Sequence, residues 1–89
     1  MSARILRIVN EKGLHARASA KFVEVVEDHD AQATVTKDGM SVSGDSIMGL
    51  LMLAASRGTS IEVETSGNEA AKLADALEAL VANRFGEDY

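Results

Sequence analysis

The apolar residues of this chain keep changing period, from two residues to about 3.6 and back, and hold neither for long. Ile5 to Val9 alternates, with Leu6 and Ile8 on one side and Arg7 on the other. From His15 to about Glu27 the spacing turns helical, with Ala18, Phe22, Val25 and Val26 in one stripe. Ala31 to Lys37 alternates again through Ala33 and Val35. Asp38-Gly39 carries a two-residue hairpin signal, because both turn positions tolerate positive φ, and Met40 and Val42 lie on the return strand. Asp45-Ser46 opens a second helix through Ile47, Leu50, Leu51 and Ala54, expected to end near Gly58. Ser60 to Thr65 alternates with Ile61 and Val63 inward and Glu62 and Glu64 outward. Ser66-Gly67-Asn68-Glu69 has capping-box spacing, and a last helix runs to about Arg84 through Leu73, Leu77, Leu80 and Val81.

The element order is therefore β-α-β-β-α-β-α. Strands that alternate are half-buried, so the pattern predicts a mostly antiparallel sheet with helices on one face, an α+β fold. Eighty-nine residues leave room for one hydrophobic core, so residues 1–89 read as a single domain. That core must be aliphatic, since the aromatic residues are Phe22, Phe85 and Tyr89 alone. Without cysteine, neither disulfides nor thiolate metal sites can hold it together. Nine basic against fourteen acidic residues give a net charge of −5 and no basic cluster, which argues against nucleic acid as a partner. The residues from Met1 to Asn10 do not read as a signal peptide, and no apolar run approaches the roughly 18–20 residues of a membrane span. A cytoplasmic protein without membrane insertion is expected. The charges are uneven: Arg4, Arg7, Lys12, Arg17 and Lys21 crowd the first quarter, while the tail ends Glu87-Asp88-Tyr89.

Gly13-Leu14-His15-Ala16-Arg17 is the stretch that carries chemistry. A turn ends in a histidine where a helix N-cap belongs, and an arginine comes two residues later. The first N–H groups of a helix lack internal partners and the macrodipole adds partial positive charge, so such an end is a ready anion site. A histidine there joins a nucleophile to an anion cradle, and a good fraction of it is neutral near pH 7. Ala16, with almost no side chain, leaves that end open to a partner.

Residues 13–23, Gly-Leu-His-Ala-Arg-Ala-Ser-Ala-Lys-Phe-Val, resemble the active-site signature of the HPr family, the histidine phosphocarriers of the phosphoenolpyruvate:sugar phosphotransferase system. A second stretch, Gly44-Asp-Ser-Ile-Met-Gly-Leu-Leu-Met-Leu-Ala-Ala, and then Arg57-Gly-Thr, match at the right spacing, and the likeness extends over essentially the whole chain. The resemblance implies an open-faced β-sandwich, four antiparallel strands covered on one side by three helices. It implies that His15 accepts a phosphoryl group at Nδ1 from enzyme I and donates it to an enzyme IIA-type protein. Arg17 and the N–H groups of Ala16 and Arg17 would steady that group. Two departures stand out: Ala18 replaces the proline that usually comes after this arginine and pre-sets the first turn, and Glu24 and Glu27 stand where many relatives carry lysines.

Ser46 reads as an N-cap on residue type alone. The resemblance adds that it matches the serine phosphorylated by HPr kinase/phosphorylase in bacteria that possess that enzyme. Met48 and Met52 lie one turn apart, off the helix stripe, as core filler or as a docking patch of adaptable thioethers. By resemblance the patch is favoured, with Ala16, Ala20, Lys21, Ile47, Met48, Leu51 and Met52 meeting the partners. His29 reads as a surface residue, and no spacing supports a metal site. No cofactor is expected, and transient partners suit a monomer. An acylphosphatase-like hydrolase is disfavoured, because its glycine-rich loop is absent. A purely regulatory binding module of the same fold would not need His15. Sugar uptake and a nitrogen-type regulatory phosphorelay remain open as pathways, because one surface serves both acceptors.

Overall fold

A computed structural model describes residues 2–89. Four strands, β1 (Ser2–Arg7), β2 (Gln32–Lys37), β3 (Met40–Ser43) and β4 (Ser60–Ser66), form a sheet in the order β1-β4-β2-β3, every neighbouring pair antiparallel. Three α-helices, α1 (Ala16–Glu27), α2 (Ile47–Met52) and α3 (Ala70–Ala82), accompany it in the expected order, and a short 3-10 turn ends the series at Arg84–Gly86. The architecture is the open-faced α+β sandwich that the sequence suggests.

Alternation decides which face is covered. Leu6, Ala33, Val35, Ile61 and Val63 are buried, while Ile5, Glu62 and Glu64 between them face solvent. Leu6 pairs with Ile61, and Val35 with both Val63 and Val42, so the inward residues stack across strands. The helices meet them with Ala18, Phe22 and Val26 from α1, Leu50 from α2, and Leu73, Leu77 and Val81 from α3. At the sheet edge the Arg4 guanidinium pairs with Asp75 at 2.7 Å and Glu78 at 2.6 Å, tying β1 to α3. Asp38 and Gly39 both take positive φ (50° and 83°), the conformation a tight hairpin between β2 and β3 needs.

Four expectations are corrected. The first strand starts earlier and stops at Arg7, although Ile8 remains fully buried. The second helix ends at Met52, well short of Gly58. Leu53 is its C-cap and Ala54 turns left-handed (φ 51°), exposing its methyl, so of the expected stripe only Leu50 is fully buried. The Ser66–Glu69 capping box does not form. Glu69 is itself the N-cap, and its carboxylate accepts from the Asp30 backbone N–H at 2.7 Å. The last helix stops at Ala82, and the next turn sends Phe85 into the core, fully buried with φ 55°. Ala18, in place of the usual proline, is also fully buried, and α1 forms without the preset turn.

Candidate functional site

The loop before α1 is fixed by backbone geometry and one buried amide. Gly13 adopts φ +67°, and a Cβ there would come within 2.5 Å of the Ala55 carbonyl oxygen, so only glycine fits both the conformation and the space. The Leu14 N–H donates to that same carbonyl at 2.9 Å, and Leu14 is buried. Asn10, fully buried, donates its Nδ2 to the Gly13 carbonyl at 2.8 Å. The Leu14 bond and the close fit of Gly13 thus hold the loop against residues 55–56, and the Asn10 amide ties it from within.

His15 then enters α1 as its N-cap with an extended backbone (φ −78°, ψ −177°). Its Nδ1 accepts the Arg17 backbone N–H at 3.2 Å, and its carbonyl accepts from Ser19 N–H at 2.8 Å. A nitrogen that accepts a hydrogen bond holds a free lone pair, so the ring proton sits on Nε2. Nε2 faces the carboxylate of Glu87. Ala16 and Arg17 are exposed, and among the described residues no carboxylate pairs with the Arg17 guanidinium. The helix end is therefore open in front of Nδ1.

Around this centre the expected residues divide. Ile47, Met48 and Met52 are exposed (Met48 at 70% and Met52 at 64%), which rules out core filler, and Leu51 is half-buried beside them. Ala20 is exposed on α1. Lys21, half-buried on α1, donates its ammonium to the Phe85 carbonyl at 2.7 Å, which holds the C-terminal turn. Ser46 caps α2, its Oγ accepting from the Gly49 N–H at 3.0 Å. His29, half-buried, engages the Val25 carbonyl through Nδ1 at 2.8 Å at the far end of α1.

Glu87 and Asn10 join the site without any sequence signal. Glu87 reads from sequence as part of an acidic tail, yet its side chain is only 17% exposed and takes hydrogen bonds from Asn10 (2.9 Å) and His15. No local pattern points across the 72 residues between Glu87 and His15. The Asn10 amide, first, and the His15 contact hold the Glu87 carboxyl below its ordinary value of 4.5, with burial opposing them. A carboxyl depressed by folding contributes stability that is fully present above its unfolded value and lost as pH falls through the lower folded one. Carbon-13 NMR titration of the Glu87 carboxyl should therefore give a midpoint below 4.5, and the docked tail should loosen only in acid beyond that point.

The four-stranded sheet thus carries its helices on one face, and His15 stands as the N-cap at the exposed start of α1. The family model described as the PTS HPr component phosphorylation site matches residues 3–83. The phosphocarrier proteins HPr of Cupriavidus necator and of Neisseria meningitidis serogroup A are 45% and 46% identical over 87 residues, covering 98% of both chains in each pair. The crystal structure of HPr-C-His from Thermoanaerobacter tengcongensis superposes with a TM-score of 0.95 at 34% identity over the whole of both chains. Crh, the catabolite repression HPr of Bacillus subtilis, described as a domain-swapped dimer, gives 0.76 at 31% identity over 94% of this chain and 97% of its own. The chain belongs to the HPr family of phosphocarrier proteins.

Proposed function

We propose that His15 accepts a phosphoryl group at Nδ1 from phosphorylated enzyme I and passes it to an enzyme IIA-type acceptor. One observation carries the reading: the Nδ1 lone pair is presented at the open start of α1, accepting the Arg17 N–H at 3.2 Å. Attack from that nitrogen needs no prior loss of a proton. As the phosphoryl group arrives, its oxygens take over the N–H groups of Ala16 and Arg17, where the helix end favours negative charge. The exposed Arg17 guanidinium, without a carboxylate partner among the described residues, adds a cation that swings to the same oxygens. These groups hold charge without taking part in bond making, so they serve transfer in both directions.

Ala16, Ala20, Lys21, Ile47, Met48, Leu51 and Met52 form the docking surface, whose apolar side chains adapt to donor and acceptor alike. The working unit is a single chain, residues 1–89, in the cytoplasm, serving sugar uptake or a regulatory phosphorelay. Ser46 is a regulatory position. A phosphoryl group on its Oγ suits a helix start but brings negative charge beside the docking surface, where it repels an acidic partner.

The test is intact mass after incubation with phosphoenolpyruvate and enzyme I. The expected result is an acid-labile gain of one phosphoryl group; no gain, with a control HPr fully phosphorylated, rejects the reading. HPr kinase with ATP in a parallel incubation tests Ser46 through an acid-stable gain of the same mass. Arg17→Ala should still accept the group but slow transfer in both directions by about tenfold to a hundredfold, the usual loss for one charged donor to a transferring group. Unchanged rates by rapid-quench kinetics would remove Arg17 from the site.

A further inference from the structure

The C-terminal segment does not fray after α3. Arg84 and Phe85 both take left-handed backbone angles (φ 56° and 55°), a conformation disfavoured for side chains of this size. It persists because several contacts determine it together. Phe85 is fully buried, Lys21 binds its carbonyl at 2.7 Å, and the Gly86 and Glu87 N–H groups donate at 2.9 Å to the Asn83 and Arg84 carbonyls. The turn delivers Glu87 to the histidine: its Oε1 accepts from Asn10 Nδ2 at 2.9 Å and its Oε2 meets His15 Nε2. The same Asn10 nitrogen donates to the Gly13 carbonyl at 2.8 Å, so one amide links the tail to the loop that presents the histidine.

We propose that Glu87 is a positioning residue for phosphoryl transfer, its carboxylate holding the Nε2–H of His15 so that Nδ1 is the nucleophile and the ring can carry positive charge. The proposal rests on the reading that His15 Nδ1 accepts the group. In the step, the Nδ1 lone pair forms the bond to phosphorus while the donor's bond to phosphorus breaks and its electron pair leaves with the donor. The imidazole thereby gains positive charge and keeps its Nε2 proton, which the carboxylate faces throughout. Donation runs the same path backwards, with the electron pair returning to Nδ1, and no proton passes to Glu87 in either direction. A buried carboxylate that orients a histidine and stabilises its positive form is an effective device in acyl transfer, where the ring acts as a base. Here the ring is itself the nucleophile, and the same electrostatics apply.

Glu87→Gln keeps the shape and removes the charge: its oxygen can still accept from Asn10, which turns the amide NH2, a donor, toward Nε2 in place of the acceptor. Two measurements test it. Proton–nitrogen NMR of the unphosphorylated chain should show an Nε2-bound proton of His15 protected from water exchange, lost in Glu87→Ala. Transfer from enzyme I to Glu87→Gln should fall about tenfold to a hundredfold in turnover with KM for enzyme I unchanged, as expected when a charged hydrogen-bond partner is neutralised. Glu87→Gln at parental turnover, or no protected Nε2 proton in the parent, overturns the proposal. A parent that shows the protected proton yet accepts no phosphoryl group keeps the contact but rejects the carrier reading, and with it the role in transfer.

Discussion

A His15→Ala variant is expected to gain no mass with phosphoenolpyruvate and enzyme I, yet to unfold within about 1–2 kcal/mol of the parent. The chemical loss is complete because the remaining histidine is in the wrong place. His29 lies past the far end of α1, a helix of 12 residues and so about 18 Å long, and its Nδ1 is engaged by the Val25 carbonyl. The structural loss is small because the imidazole is not in the core. Its side chain is 27% exposed, and what it contributes to the fold is a cap on Arg17 N–H and the contact with Glu87. Without it Glu87 keeps the Asn10 amide and gains water. Intact mass and urea unfolding on the same sample check both halves. A phosphoryl gain by the variant would move the site elsewhere, and a loss of stability far beyond a cap would mean that His15 supports the fold in a way its contacts do not show.

What the sequence discloses and what it hides divide along the range of the interactions. Alternation through Ile61 and Val63 reports burial directly, because each residue of a strand answers only to the face it points to, and the structure buries both. The stripe of Ala18, Phe22 and Val26 is equally local, and so is the cap at His15, since the capped N–H lies two residues away. The misreadings fall where a local signal competes with a distant partner. Ser66 and Glu69 have capping-box spacing, but the Glu69 carboxylate finds the Asp30 N–H across the molecule and its backbone adapts to it. Gly58 is a local signal for the end of α2, but packing stops the helix earlier: Leu53 and Ala55 are buried with Ala54 turned outward, a spacing no continuous helix provides. The site splits in the same way. His15, Ala16 and Arg17 are contiguous and legible, whereas Glu87 reaches them only through the fold.

Phe85→Ala is the substitution expected to cost most, about 3–5 kcal/mol for deleting a fully buried phenyl group. Small domains have in all only about 5–15 kcal/mol of stability, so the variant should sit near the edge of folding at room temperature. The residue has more to lose than its area. Its left-handed backbone costs on the order of 1–3 kcal/mol, and burial of the ring is what offsets that strain. Alanine keeps the strained angle and loses the compensation, so the turn at Arg84–Gly86 should relax and carry Glu87 away from His15. Two readouts should then move together: the urea midpoint falls, and the protected Nε2 proton of His15 disappears even under conditions where the sheet remains folded. Phe22→Ala is the control, a deletion of the same ring from an equally buried site on α1 that leaves the C-terminal turn in place. It should lose comparable stability while the folded fraction keeps the protected proton. Phe85→Leu should recover most of the stability and the proton signal, since a branched aliphatic side chain refills much of the space. If Phe85→Ala is destabilised while Glu87 stays docked, the tail is held by Asn10 and Lys21 alone, and the buried ring serves only the core.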